Sequence, residues 1–201
     1  MTASDRPGSL SGVAVDDETL RVQVYGVLAA TGLAPTTDEL STFAGVPATD
    51  VREALGRLAD QRHLVLRGAE ERIVLAHPFA TVPLGFAVMG RRTLWWGGCA
   101  WDSFALPQLV PDEPDVLVST RCPGCGRALA WVVGRQAPPD GEEVAHFLVP
   151  VARMWDDVVY SCGNQRLFCG PGCVDRWLER TGHARGYVMD LPTLWRLART
   201  W

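Results

Sequence analysis

The chain has no lysine: all 19 basic residues among its 201 are arginine. That reflects coding bias more than chemistry. It also has no excess of positive charge. With 23 acidic residues the formal net charge is −4 and the pI about 5.5, so no global basic field draws it to nucleic acid or an anionic membrane. Any such binding would have to be local. No run approaches the ~20 apolar residues of a membrane span, and the start, Met1 to Gly8, is not the basic-then-apolar layout of a secretory signal. The expected location is cytoplasmic, with no membrane partner. There is no internal repeat, P-loop, GxGxxG or Ser/His/Asp constellation.

What remains is an ordinary globular composition, 47% apolar and 21% charged, which excludes whole-chain disorder and fibrous repeats. The length suits one large domain or two small ones. Six cysteines are present, Cys99, Cys122, Cys125, Cys162, Cys169 and Cys173. In a reducing compartment they are expected to be metal ligands, nucleophiles or buried thiols rather than disulfides.

Residues 1–16 are rich in Ser, Gly, Asp and Thr without periodicity and read as a disordered lead-in. Leu20, Val24, Val27 and Leu28 then recur at helical spacing up to the stop at Gly32. A short helix capped by Thr36 or Thr37 follows, and another opens at Pro47 with Val51, Leu55 and Leu58 on one face. His63 to Leu66 and Arg72 to Leu75 flank a turn, a strand pair. Three helices and a hairpin over residues 17–80 are the layout of a winged helix. DNA reading is disfavoured, because between Glu18 and Ala76 six arginines are mixed with eight acids and no basic recognition face forms. A structural or lid-forming cover is the preferred role.

Past Pro78 come β-like runs at 85–89, 115–119, 129–133 and 143–149, with helical stretches at 101–110, 173–181 and 193–199. The fold class is therefore α+β: an N-terminal winged-helix-like three-helix domain, then a mixed, mainly antiparallel β core with flanking helices over 81–201.

The cysteines divide by spacing. Cys122-Pro-Gly-Cys125-Gly is a knuckle that aims two thiolates at one point, and Cys169-Gly-Pro-Gly-Cys173 leads into a helix. Together they can make a closed tetrahedral zinc site resembling the treble-clef modules; the alternative is four free thiols, or a different partition in which Cys162 joins the metal set. Cys99 sits where a glycine pair opens onto a helix, a position at which the helix dipole is expected to acidify a thiol. Asp102, three residues on, shares its face and can accept and relay a proton. The plainer reading makes Cys99 a small core residue and Asp102 a helix-start acid. Trp95, Trp96, Trp101 and Phe104 are candidates to wall an apolar cavity, or else core. The four histidines, His63, His77, His146 and His183, have no ligand spacing and read as surface or core residues.

Gly98-Cys99-Ala100-Trp101-Asp102-Ser103-Phe104-Ala105-Leu106-Pro107 resembles the C-A-x-D helix of the alkylmercury lyases, the organomercurial-cleaving enzymes of bacterial mercury resistance. Ala76-His77-Pro78-Phe79 ahead of Val88-Met89-Gly90, and the segment Cys162 to Trp177, are also similar. The resemblance implies a catalytic set of Cys99, Cys162 and Asp102: two mercury-binding thiols and a proton carrier. Hg(II) is a soft acid that prefers thiolate to other protein ligands. It further implies protonolysis of the C–Hg bond to a hydrocarbon and Hg(II), external thiols, a mercury reductase as a possible acceptor, and no organic cofactor. Cys125, Cys169 and Cys173 have no counterpart in the best-known lyases, and a cysteine stands there where Gly163 is here. The alternatives are a soft-metal-sensing winged-helix regulator, or a lyase-fold enzyme with a substrate other than organomercury.

Overall fold

Asp16 accepts a hydrogen bond from the Thr19 amide at 2.9 Å and starts helix α1 (Asp17–Thr31), whose Leu20, Val24 and Leu28 are buried on one face. The computed structural model describes residues 16–200, so the expected lead-in lies outside the described residues except for Asp16. Gly32, at φ 74°, ends α1 in the left-handed conformation, and a side chain there would run into the backbone of Leu94. Thr36 and Glu39 form a reciprocal capping box at the start of α2 (Thr37–Ala44). In α3 (Ala48–Asp60) the buried residues are Val51, Ala54, Leu55 and Leu58. Three helices thus stand where apolar periodicity places them.

Strands β1 (Val65–Arg67) and β2 (Arg72–Ala76) pair as the expected hairpin, but they do not end the unit. Through β3 (Phe79–Ala80) they join one seven-stranded sheet with β5 (Leu94–Gly97), β4 (Phe86–Met89), β6 (Asp115–Arg121) and β7 (Ala128–Gly134). The order is β1-β2-β3-β5-β4-β6-β7, with every neighbouring pair antiparallel. A second antiparallel sheet, β10-β8-β9, is built from Val144–Phe147 (β8), Gln165–Phe168 (β9) and Tyr187–Asp190 (β10). The α+β, mainly antiparallel expectation is met. Strands β3, β5, β9 and β10 were not foreseen, because these two- to four-residue segments are not set in a longer apolar or alternating run that would mark them.

Helix α4 (Ala100–Leu109) is the centre of the molecule. Ala100 and Asp102 through Pro107 are all buried, because the helix packs against β4 to β7 on one side, and against β9 and α7 (Leu191–Ala198). A helix apolar nearly all round is an interior helix. Two further helices carry cysteines: α5 (Val158–Gly163), entered through a 3-10 turn at Val151–Asp156, and α6 (Pro171–Thr181).

The Trp95 indole, itself buried, donates to the Leu28 carbonyl at 2.9 Å and ties α1 to β5. Truncating Leu28, fully buried at that junction, is expected to cost about 2–5 kcal/mol. Urea unfolding of Leu28→Ala should show this as a lower midpoint with an unchanged slope, and a loss under about 1 kcal/mol would contradict the packing described.

Candidate active site and metal centre

Cys99 is the N-cap residue of α4, in extended backbone, and its sulfur accepts the Asp102 amide at 3.4 Å. The capping turn brings Asp102 back toward the cysteine, as the spacing of three leads one to expect. Gly97 and Gly98 precede it for a steric reason. A side chain on Gly98 would strike the Asp102 carboxylate, and one on Gly97 would strike Ser103, which donates to the Cys99 carbonyl at 2.6 Å. The glycine pair lets the turn close onto its own carboxylate.

Cys162 reaches the same place from α5. It is fully buried and lies in one packed cluster with Cys99, Leu75, Ala80 and Val158. Asp157 caps α5 by accepting the Tyr160 amide at 3.0 Å, which sets the short helix that presents Cys162. Cys99, Asp102 and Cys162, more than sixty residues apart at the extremes, therefore meet in one buried cluster. Burial pushes the Cys99 thiol well above its usual range, reinforced by the hydrogen bond to Cys162 and the charge of Asp102; the Asp102 amide opposes this without overcoming it. The expected acidification by the helix start is thus corrected: desolvation outweighs the dipole.

A fourth group is His77, expected from the sequence only as a surface or core histidine. Its Nδ1 lies 3.1 Å from Asp102 Oδ2, and both side chains are buried. Burial pulls the His77 pKa down, but the Asp102 charge and hydrogen bond, with Cys162 adding to them, lift it to about 9. The buried carboxylate thus has a cationic partner. Ligand atoms of His77, Asp102 and Cys162 lie within 4.8 Å of one another. The only sequence signal for His77 was its place in the Ala76-His77-Pro78-Phe79 similarity.

His77, Cys99 and Asp102 open on a cavity of about 550 Å³ lined by Tyr25, Phe79, Leu109, Trp101, Met154 and Trp155 among others, and Cys162 lies buried behind them. Of the four aromatic candidates only Trp101 lines it. Trp95 and Phe104 are core, Phe104 against Trp131, and Trp96 is exposed at 39% on the outer sheet face.

The other four cysteines form a separate set. Cys122 and Cys125 lie on the turn between β6 and β7, where the Gly126 amide donates to the Cys122 carbonyl at 2.8 Å. Cys169 follows β9 and Cys173 lies in the first turn of α6. A side chain on Gly124 would hit the backbone of Cys173, so knuckle and helix start are in contact. All four sulfurs lie within 4.8 Å of one another, Cys125 and Cys169 at 3.5 Å. This cluster can hold a metal ion. Tetrahedral zinc with thiolates at about 2.3 Å requires sulfurs about 3.8 Å apart, which the cluster accommodates. Cys162 stays with Cys99, so the alternative partition is set aside.

The alkylmercury lyase (MerB) family pattern matches residues 79–201, more than half of the chain and the stretch that contains the six cysteines. The chain belongs to the alkylmercury lyase family. The crystal structure of a mercury-bound form of MerB2 is similar over 90% of this chain and 93% of that one, with a TM-score of 0.64 and 19% sequence identity. At that identity the likeness shows the fold. No curated protein matches the sequence. Among the described residues of this lyase no helix is long and apolar enough to cross a membrane.

The His77–Asp102 pair has a pH signature. A solvated histidine releases its proton near pH 6.5, whereas the folded protein holds it to about 9. The pair therefore stabilises fully below about pH 6.5 and its contribution is lost as pH rises through 9. Urea titrations across that window should show wild-type stability falling more steeply than that of His77→Asn, which cannot titrate; parallel curves would contradict the pairing.

Proposed function

We propose that the protein is an organomercurial lyase that cleaves the C–Hg bond by protonolysis, with Cys99, Cys162 and Asp102 carrying the chemistry. The observation that supports this most is two thiols buried in one packed cluster with a buried carboxylate beside them, Cys99 and Asp102 lining a largely apolar cavity. A soft alkyl- or arylmercury cation would find two sulfur ligands there and an apolar space for its organic group.

Burial holds the Cys99 thiol protonated, so it needs a base when the metal arrives. Binding of R–Hg–X to one thiol releases X⁻ and a proton, and binding to the second thiol passes its proton to Asp102. The carboxylic acid so formed then gives its proton to the carbon attached to mercury. The electron pair of the C–Hg bond goes to carbon, R–H leaves, and Hg(II) stays on Cys99 and Cys162 with Asp102 again a carboxylate. Two external thiols exchange for the protein sulfurs and carry Hg(II) away, to a mercury reductase in the simplest scheme.

Zinc is the proposed resident metal at Cys122, Cys125, Cys169 and Cys173, where it would act as a staple and supply no step. The cluster joins the β6–β7 turn to the end of β9, and β9 begins just after Cys162. Holding β9 holds the Cys162 segment. The helices and hairpin of residues 17–80, the winged-helix-like unit, are proposed as a cover, with residues 81–201 as the catalytic core. Arg21, Tyr25 and Ala29 of α1, with Arg62 and His63, line the cavity, which supports a cover more than a DNA reader. Cytoplasmic location follows from thiol chemistry that needs a reducing compartment.

Two measurements test this. Incubation with phenylmercuric acetate and excess thiol should release benzene from the wild type and none above background from Cys99→Ser, Asp102→Ala or Cys162→Ser; mercury bound without benzene would make the protein a soft-metal binder. Metal analysis should find about one zinc per chain, lost with stability in Cys122→Ser but retained in Cys99→Ser. Less than half an equivalent after zinc-replete expression would remove the staple.

A further inference from the structure

The cavity wall carries one buried polar side chain that the proposed triad does not use, His77. It stands on the link between β2 and β3, not on α4, and its ring is fixed on more than one side. Nδ1 meets Asp102 Oδ2 at 3.1 Å, and the Trp155 ring stands edge-on to it with centroids 5.8 Å apart. Trp155 in turn lies under the Arg62 guanidinium at 5.5 Å. Trp155 belongs to the same 3-10 turn that leads into α5, so the segment that delivers Cys162 also delivers the group against which His77 rests. The bare Cα of Gly98 also lies close to the same Asp102 oxygen, where a side chain would strike it. One carboxylate oxygen thus meets both a donor and a close backbone approach.

An aspartate has two torsions, and a proton must be delivered to one carbon atom. A carboxylate free to rotate would lose much of its advantage, since misplacement by about 1 Å costs about 10²-fold in rate. We propose that His77 is a positioning residue for the lyase reaction: it anchors Asp102 through Nδ1–H···Oδ2 so that the carboxylate is held toward the two sulfurs and the mercury-bound carbon. This rests on the lyase reading above. His77 makes no contact with mercury in this scheme, and it acts through Asp102.

Side-chain replacement separates anchoring from bulk. An asparagine amide nitrogen occupies about the place of histidine Nδ1 and can keep the hydrogen bond; a glutamine amide reaches the place of Nε2 and cannot; leucine fills the space without a donor. With phenylmercuric acetate and excess thiol, His77→Asn should keep kcat within about tenfold of wild type. His77→Leu and His77→Gln should lose about 10²-fold in kcat with KM within about threefold. Hg(II) binding to Cys99 and Cys162, read as thiolate–mercury absorbance, should remain stoichiometric in all three. Wild-type kcat in His77→Leu, or an equal loss in the Asn and Gln variants, overturns the inference; if His77→Leu does not fold, the Asn and Gln pair decides. A wild type without turnover overturns the lyase reading and this with it. Turnover abolished by Asp102→Ala but untouched in His77→Leu overturns this inference alone.

Discussion

The architecture of the site depends on one buried carboxylate. Asp102 is 2% exposed in the interior of a small protein, where an unpartnered charge would cost several kcal/mol. His77 is its cationic partner, and the turn at Cys99 holds the peptide of Asp102 in place. The rest follows from keeping that group dry and oriented. Glycines at 97 and 98 allow the backbone to close over it, α4 is apolar around nearly its whole circumference, and Cys162 of α5 packs beside it while Trp155 of the preceding 3-10 turn backs His77.

Burial also explains why the Cys99 thiol is not reactive in isolation. A permanently ionised thiol would react with any soft metal or oxidant that reached it. Here desolvation keeps Cys99 protonated, and in the proposed mechanism it ionises only when a metal that two sulfurs can share arrives. In that scheme a proton displaced by the metal is one that can be returned to carbon, so the burial that suppresses idle reactivity would also retain the acid equivalent. Cys169 of the second cysteine set follows the far end of β9 from Cys162, and in the proposed reading an ion shared by the four sulfurs makes that strand a strut between the two sets.

Much of this was legible in the sequence. Three helices and the hairpin declared themselves by apolar spacing with Thr36 and Gly32 as punctuation, and the cysteines sorted by spacing into a knuckle, a helix start and two singletons. The C-A-x-D helix gave Cys99 and Asp102. What was not legible is non-local. Strands of two to four residues, such as Leu94–Gly97 and Gln165–Phe168, have no readable period and exist because neighbours pair with them. The helix carrying Cys162 is six residues long and has only the Asp157 cap to announce it. His77 was missed because its significance is a contact across twenty-five residues of sequence. The thiol acidity was misjudged because a helix start is visible in sequence and desolvation is not.

The central claim is that Cys99 and Cys162 form the mercury site and that the four-cysteine cluster does not. X-ray absorption of zinc-replete protein carrying one equivalent of Hg(II) tests it directly. Two sulfur neighbours around mercury, with zinc still in a four-sulfur shell, and loss of the mercury signature in Cys99→Ser/Cys162→Ser, is the predicted result. Mercury in a three- or four-sulfur shell with zinc released would place the metal in the cluster and contradict the account.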